Sequence, residues 1–285
     1  MAEPALTVGV FRILGNDLPP RHSAEQTFRN VKFMLDHEEV FENVSPVWCL
    51  NRIVDPVKLA ELKELLANEQ VIEIPFERDE YRKLSEWNDK IRYVTNVNGA
   101  RNVCIDQGLA NFDVVLPLDG AHFIRREGWY PFEEMLYDFP EEANYAIPCH
   151  RAETYDEIIS GDFIPQIREQ YEFGGGQKRT GIREPAIAFT SRADVRFNEE
   201  LVYGKCNKAE LLFRLGIPGV WEWWEPQIKE AALKKKSAFY GCTQIQGWTI
   251  RLPSKESGKS EGDNLNRGHQ RSLGIKKLIQ HCDAL

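Results

Sequence analysis

Short apolar runs alternate with helix-like stretches over the first 120 residues of the chain. Four runs have the length and the β-branched content of buried strands, namely ALTVGVFRIL, SPVWCLNRI, VIEIPF and DVVLPLD. Between them, Phe28, Val31, Met34 and Leu35 recur at helical spacing, and the leucines of VKLAELKELLANEQ share one helical face. This alternation predicts an α/β domain with a largely parallel sheet.

The second half of the chain has a less regular pattern. We predict strands at ANYAIPCH, EPAIAFTS and GWTIRLPS, and helices at GWYPFEEMLYDFP, NKAELLFRLG and EPQIKEAALKKK. The glycine-rich YEFGGGQKRTG is predicted to be a mobile loop, KESGKSEGDNLNRG to be flexible, and the basic end of the chain to form a helix. The helical stretch before DVVLPLD is expected to break at Asn98 and Gly99.

Composition narrows the class of protein only slightly. The 285 residues are 42% hydrophobic and 28% charged, which is typical of a soluble globular protein. A net charge of −8 disfavours a nucleic-acid partner. The N-terminus lacks a secretory signal pattern and no apolar run reaches the roughly 18 residues of a membrane helix, so we expect a cytoplasmic protein. The six cysteines form no CxxC pair, which indicates free thiols.

Polar side chains gather where the predicted strands end. The strand DVVLPLD finishes in an acid, Asp119, which Gly120, Ala121 and His122 follow. Two earlier strands also end in polar residues, which are Arg12, Asn16, Asp17 and Arg21 in FRILGNDLPPRH and Asn51, Arg52 and Asp55 in LNRIVD. Ligands of parallel α/β sheets bind at the carboxyl ends of the strands, so we expect a site there. For Asp55 the stronger interpretation is a helix cap.

The segment NGARNVCIDQGLANFDVVLPLDGAHF resembles the nucleotide-sugar glycosyltransferases of the GT-A type. Those enzymes carry an Arg-Asn pair early in a helix, followed by an apolar strand that ends in an acidic motif. Here Arg101 and Asn102 stand about 17 positions before Asp119. A second stretch, REPAIAFTSRADVRFNEELVYGKCNKAELLFRLG, is similar to a later GT-A segment, so the likeness runs over nearly the whole chain.

The resemblance implies a single GT-A-like domain over residues 1–285, with a mostly parallel central sheet flanked by helices. Residues 1–124 are then a nucleotide-sugar-binding half and residues 125–255 an acceptor-binding half. Residues 256–285 are a flexible segment followed by the basic helix. The implied activity moves a sugar from a nucleoside-diphosphate sugar, a UDP- or GDP-sugar, to a hydroxyl of an acceptor. A glycan is the expected acceptor, while a protein, a lipid-linked sugar and a hydroxylated nucleobase in DNA stay open.

The resemblance also assigns the residues that hold the nucleotide sugar. They are Arg12, Asn16, Asp17, Arg21, Asn51, Arg52, Arg101, Asn102, Asp119, Lys205 and Lys208. For Arg101 the alternative is a structural ion pair. Lys205 and Lys208 stand where such enzymes have active-site residues and can neutralise a departing diphosphate, or they simply begin a solvated helix.

The acidic motif departs from the family pattern. GT-A enzymes usually carry Asp-x-Asp, whose carboxylates hold Mn²⁺ or Mg²⁺ against the diphosphate. In this chain Ala121 replaces the second acid, so a metal would depend on Asp119, with His122 as a possible imidazole ligand that suits Mn²⁺. The alternative is that His122 packs beside Phe123 and points to the surface.

The catalytic base and the acceptor site are assigned with the same resemblance. Asn207 and Lys208 stand where many relatives have an acidic pair, so the alternative bases are Glu200, Glu199 and Glu184, in that order. Trp221, Trp223 and Trp224 can stack on a sugar acceptor or pack into the core.

Two other functions stay open at this point. A nucleotidyltransferase shares the α/β sheet and the diphosphate leaving group, but the glycine-rich, lysine-bearing loop that it needs near the N-terminus is poorly matched by GNDLPPRH. A catalytically degenerate protein that only binds a sugar nucleotide or a partner protein is the second, because the second aspartate and the acidic pair are missing.

Overall fold

The computed structural model describes residues 6–173, 177–204, 208–217, 219, 244–254 and 263–285. Its strands in chain order are β1 (Val8–Leu14), β2 (Val44–Asn51), β3 (Gln70–Ile74), β4 (Val114–Asp119), β5 (His122–Phe123), β6 (Asn144–Ile147), β7 (Cys149–Arg151), β8 (Arg168–Phe173), β9 (Gln177–Ile182), β10 (Ala186–Thr190), β11 (Gln244–Ile245) and β12 (Thr249–Arg251). Its helices are α1 (Gln26–His37), α2 (Pro56–Leu65), α3 (Arg78–Arg82), α4 (Trp87–Thr95), α5 (Val97–Leu109), α6 (Arg126–Asp138), α7 (Tyr155–Ser160), α8 (Ala209–Arg214) and α9 (Asp263–Ala284).

A seven-stranded sheet forms the centre of the molecule, in the order β11-β6-β10-β4-β1-β2-β3. β1 runs parallel to both of its neighbours, β2 and β4, and β2 runs parallel to β3. β10 is antiparallel to β4 and to β6. The predicted class, an α/β fold with a mostly parallel central sheet flanked by helices, is confirmed.

Apolar side chains cover both faces of the central strands, as a parallel sheet requires. On one face, Val10 and Leu118 pack with Trp129 and Phe132 of α6. On the other, Phe11 and Val115 pack with residues of α5, among them Cys104. The side chains of β1 alternate between the two clusters because successive residues of a strand point to opposite faces. A three-stranded sheet, β5-β12-β7, and the hairpin β8-β9 complete the fold.

Four local predictions need correction or completion. The helical break comes at Asn96, whose backbone is left-handed (φ 42°), so Asn98 and Gly99 lie in the first turn of α5. Most of the predicted mobile loop, residues 171–181, is paired strand instead, because β8 (Arg168–Phe173) and β9 (Gln177–Ile182) are in antiparallel register. The basic C-terminal helix is observed as α9, which packs against Leu18 and Val94 through Ile275 and Ile279. The predicted helix EPQIKEAALKKK lies outside the described residues.

Two predictions of absence can be compared with the described part of the chain. Cys49, Cys104, Cys149 and Cys282 are buried free thiols, as expected, and the other two cysteines fall outside the described residues. Within those residues, no helix has the length and apolar character needed to cross a membrane.

Candidate functional site

A pocket of about 160 Å³ opens where β1, β2 and β4 end. It lies at the point where the order of strand addition reverses, since the chain adds β2 and β3 on one side of β1 and then β4 on the other. Such a switch point is the usual ligand site of an open α/β sheet. We call it the β1–β4 pocket. Its polar lining includes Asn16, Asp17, Arg21, His22, Gln26, Asn30, Asn51, Arg101, Asp119, Tyr203 and Arg251.

Asp119 reaches the pocket because β4 ends tightly against β1. The amide of Gly120 donates to the carbonyl of Ile13 at 2.9 Å. A Cβ at position 120 would lie 2.6 Å from the Leu14 side chain and 2.7 Å from the Ile13 oxygen, so only glycine allows this approach. The glycine therefore sets where the preceding carboxylate sits.

Arg101 holds the carboxylate of Asp119. Its Nη2 donates to Oδ1 of Asp119 at 2.6 Å, and its Nη1 donates to Oδ1 of Asn98 at 2.9 Å. The guanidinium also lies over the ring of Phe197, 5.1 Å from its centroid. Arg101 is thus both a pocket residue and the structural ion pair that was its alternative interpretation, and only the Asp119 side chain, 32% exposed, opens to solvent.

Further cations surround this pair. Arg251 of β12 lines the same pocket and donates to Glu184 at 3.1 Å, and Arg151 of β7 pairs with the same carboxylate. Lys208 donates to the Glu184 carbonyl at 3.4 Å. Burial of Asp119 opposes its ionisation, yet the charges of Arg101, Lys208 and Arg251 hold the pKa of its carboxyl well below the usual range. Asp119 is therefore ionised at neutral pH.

His122 lies in the core rather than at the surface. It is 2% exposed, and its Nδ1 lies 3.0 Å from the hydroxyl of Thr249 and 4.0 Å from the sulfur of Cys149. Burial lowers the pKa of the imidazole to about 3. The charges of Lys208 and Arg251 act in the same direction, and burial together with these charges outweighs the opposing charge of Asp119. The ring is neutral at neutral pH, and the alternative in which it points to the surface is wrong.

A divalent cation does not fit the donor set of these described residues. In nucleotide sites Mn²⁺ and Mg²⁺ are held by one or two carboxylates together with phosphate oxygens, whereas Asp119 already pairs with Arg101, and the imidazole nitrogen Nδ1 of His122 faces Thr249. Within the described residues, no group of three or more His, Cys, Asp or Glu side chains is placed to hold a metal ion. The charges nearest to Asp119 are positive instead.

The other predicted residues of the β1–β4 pocket have clear structural partners. Asn16 donates to the carbonyl of Arg52 at 2.8 Å, and Asn51 donates to that of Thr95 at 2.9 Å. Asp17 accepts from the hydroxyl of Thr27 at 2.8 Å, and burial raises the pKa of its carboxyl. Arg21 is 5% exposed and its Nη1 donates to Ser254 at 3.4 Å. The structure therefore brings these four residues together at the carboxyl ends of β1 and β2.

Two predicted residues point elsewhere. Arg12 does not line the pocket: it is 1% exposed, pairs with Glu38 and lies over the ring of Trp48 at 5.3 Å. It occupies the interior because strand β1 is buried on both faces. Asn102 binds the backbone of Phe197 and accepts from its amide at 2.9 Å, so it secures the segment after β10 rather than a ligand.

A second hollow, of about 310 Å³, adjoins the first and shares Thr95, Val97 and Tyr203 with it. We call it the Tyr93 hollow. The guanidinium of Arg52 lies 3.9 Å from the ring centroid of Tyr93. The backbone of Arg52 is left-handed, with a φ of 45°. Glu199 also lines this hollow and accepts from the Asn102 amide at 2.7 Å. Arg52 and Glu199 therefore belong to this hollow and not to the β1–β4 pocket.

The predicted bases are separated from one another. Glu200 is exposed and lines neither hollow, while Glu199 is on the Tyr93 side. Glu184 is clamped by two arginines, and although burial opposes it, their charges hold the pKa of its carboxyl well below the usual range. A carboxylate of that kind is a weak base. Lys205, Trp221, Trp223 and Trp224 lie outside the described residues.

Sequence reasoning missed Arg251, Arg151 and Tyr203. Arg251 stands inside the apolar strand GWTIRLPS, and a charge within such a strand is a signal in itself, since a buried arginine needs a partner. Which partner it has depends on the pairing of β12 with β5 and β7, which brings together segments 100 or more positions apart. Tyr203 carries no comparable signal; its ring lies 5.1 Å from the Arg271 guanidinium of α9.

The chain matches no family model and no curated protein. Among solved structures, it is similar to S. aureus TarS 1–349, with 12% identity and a TM-score of 0.43 over 87% of this chain and 60% of that one. The structure of TarS 1–349 in complex with UDP gives 11% identity and a TM-score of 0.42, over 94% and 65%. A 4-diphosphocytidyl-2C-methyl-D-erythritol synthase from Anaerococcus prevotii gives 8% and 0.33, over 93% and 96%.

These neighbours bear on the fold alone. With TM-scores below 0.5 and at most 12% identity, they do not show which activity or substrate this chain has. This chain spans less than two thirds of TarS 1–349. The substrate and the chemistry of this chain follow only from its own residues.

Proposed function

We propose that this protein is a glycosyltransferase that moves a sugar from a nucleoside-diphosphate sugar to a hydroxyl of an acceptor. One observation carries the proposal: the ionised carboxylate of Asp119 opens into the β1–β4 pocket beside the cations Arg101 and Arg251. A diphosphate is an anion that such cations stabilise, and the switch point of an α/β sheet is where nucleotides bind.

The two hollows divide the donor between them. We assign the diphosphate and the sugar to the β1–β4 pocket, where Asp119 accepts hydrogen bonds from hydroxyl groups. We assign the nucleoside to the Tyr93 hollow, whose Arg52–Tyr93 stack presents a flat face. Base–aromatic stacking is favourable for every nucleobase, so the geometry favours a nucleotide without choosing among them.

The chemistry needs one bond to break and one to form. The bond between the sugar C1 and the diphosphate oxygen breaks, and its electron pair stays on that oxygen. The acceptor oxygen forms the new bond to C1 and loses its proton to water. Fixed cations beside the departing diphosphate stabilise the negative charge that develops on it, which is the contribution that this pocket is built to make.

The test compares two aspartates at opposite ends of β4. We expect Asp119→Asn to lower nucleotide-sugar turnover about 100-fold or more, since the amide accepts hydrogen bonds from the donor's hydroxyl groups more weakly than a carboxylate and loses the ion pair with Arg101. Asp113→Asn is the matched control, because Asp113 only accepts from the amide and hydroxyl of Thr7 at the far end of the strand. Turnover is measured as release of the nucleoside diphosphate from a panel of UDP- and GDP-sugars.

A thermal-shift screen of the wild-type protein separates the alternatives. A nucleoside diphosphate at 100 times its dissociation constant should add about 2.7 kcal/mol to stability. Stabilisation by nucleoside triphosphates alone would point to a nucleotidyltransferase, and binding without turnover to a degenerate protein. If no nucleotide or sugar nucleotide moves the melting temperature, the proposal is wrong.

A further inference from the structure

A cluster of six charged side chains lies at the β1–β4 pocket, and three of them, Arg101, Asp119 and Arg251, line it. Arg101 pairs with Asp119; Arg151 and Arg251 pair with Glu184; Lys208 donates to the Glu184 carbonyl. The cluster holds four cations and two carboxylates, so its own members leave two positive charges unbalanced. Arg101 is buried, while Arg151 and Arg251 are 14% and 22% exposed, so this positive charge lies at the pocket, where it attracts an anion.

Glu184 carries a second sign that this cluster is built for a purpose. Its φ of 39° lies in the left-handed region, which a non-glycine residue adopts only at an energetic cost. The surrounding contacts maintain this conformation because both oxygens of its carboxylate are engaged, Oε1 by Arg151 and Oε2 by Arg251. The strained backbone therefore orients the carboxylate that holds Arg251 at the pocket wall.

We propose that the β1–β4 pocket binds the diphosphate through the guanidinium group of Arg251, without a divalent cation, and that Glu184 is the residue that positions Arg251. This inference rests on the proposed function and deepens it. It follows from the donor set: Arg251 lines the pocket with its side chain 22% exposed, whereas the two carboxylates of the lining are already engaged, Asp119 by Arg101 and Asp17 by Thr27.

Arginine is suited to this role because its planar fork of N–H donors matches the oxygens of a phosphate. Arg251 can bind an anion while it keeps Glu184, since one guanidinium has five donors and Glu184 accepts from Nη1. Glu184 thus acts as a positioning residue rather than as the catalytic base that its place in the sequence suggested. Lys208, which donates to the Glu184 carbonyl, adds a further positive charge next to this pair.

The experiment measures UDP binding to the full chain by calorimetry, once with EDTA and once with Mn²⁺. We expect the two dissociation constants to agree within about twofold, because no step of binding uses a metal. Arg251→Gln should weaken binding about tenfold or more, as expected for the loss of a charge-assisted contact, and Arg251→Lys should recover part of it. Arg192→Gln is the control, since Arg192 is a surface arginine paired with Glu141.

The role of Glu184 has its own readout. Glu184→Gln should weaken UDP binding in the wild-type background and add nothing further in the Arg251→Gln background, because it acts through Arg251. An equal loss in both backgrounds would mean that Glu184 is merely structural, and would overturn its assignment as a positioning residue. Melting temperatures of all variants are compared to confirm that each is folded.

The outcomes separate this inference from the function on which it rests. UDP binding that is at least tenfold tighter with Mn²⁺, or that is unaffected by Arg251→Gln, overturns the inference and leaves the glycosyltransferase proposal in place. Absence of binding by every nucleotide in both buffers overturns the two together.

Discussion

Two arginine–carboxylate clusters lie on either side of His122, and they differ in how their charges are completed. Arg12 pairs with Glu38, whose other oxygen accepts from the amide of Ile124 at 2.6 Å, and both side chains are sealed at 2% and 14% exposure. The cluster around Asp119 and Glu184 carries surplus cations, and Asp119 is exposed to the pocket.

This difference in charge pairing distinguishes a structural ion pair from a ligand site. A buried pair that is balanced and fully hydrogen-bonded has no capacity for a further charge, so the Arg12–Glu38 pair serves the fold. A cluster with unmatched cations is incomplete until an anion arrives. Both begin from an arginine in or beside the central sheet, and only the completed set of partners distinguishes them.

Removal of the carboxylate of the balanced pair, Glu38, should have the largest effect on stability. Glu38→Ala leaves the buried Arg12 without its partner, so the free energy of unfolding should fall by about 3–5 kcal/mol. Glu39→Ala is the matched neighbour, because Glu39 pairs with Arg126 at 2.8 Å on the exposed surface and should cost less than about 1 kcal/mol. Urea denaturation measures both.

A similar loss for Glu38→Ala and Glu39→Ala would contradict the structural role of the balanced pair. In the folded fraction of Glu38→Ala, UDP affinity should stay near the wild-type value, since neither Arg12 nor Glu38 lines the pocket. A large loss of affinity in that fraction would mean that the two clusters are coupled.

His22, a histidine that lines the β1–β4 pocket, should make the stability of the protein depend on pH. Burial, assisted by the charges of Arg21, Arg251 and Arg271, lowers the pKa of His22 to about 4, against about 6.5 in an unfolded chain. The folded protein then binds fewer protons than the unfolded one between these two values. Stability is therefore lost as the pH falls from about 6.5 towards 4, by about 1 kcal/mol per pH unit from this group.

His22→Gln should remove that share of the slope when unfolding is followed between pH 7 and pH 4. His281→Gln serves as the control, since His281 is an exposed residue of α9. An unchanged slope in His22→Gln would show that burial and the neighbouring arginines do not hold His22 in its neutral form.

The fold was more predictable than the site. The strands of the first half were found because a buried parallel strand is a short apolar run, and that signal is local. The break at Asn96 was displaced by two positions since it depends on one left-handed residue, not on composition. The β8–β9 pairing was missed because its strands are polar and glycine interrupts the segment.

The site was predicted where it depended on strand ends and missed where it depended on pairing across the chain. Asp119, Asn16 and Asn51 follow strands, so their meeting at one edge was foreseeable. Arg12 was assigned wrongly to that edge, since the sequence does not show which face of β1 a side chain takes. Arg251 and its link to Glu184 arise from long-range sheet contacts that no local pattern encodes.

The smallest effect tests the surplus charge itself. Arg251→Gln removes one of the four cations of the cluster. Arg101, Arg151 and Lys208 remain, and Glu184 keeps Arg151 as its partner. The lost ion pair is partly exposed, at 22% for Arg251 and 42% for Glu184, so the free energy of unfolding should fall by less than about 1 kcal/mol, in contrast with Glu38→Ala. Urea denaturation of the ligand-free protein measures the change. A loss as large as that of Glu38→Ala would mean that Arg251 completes a structural pair of its own. The two clusters would then be alike, and the surplus of charge would no longer mark a ligand site.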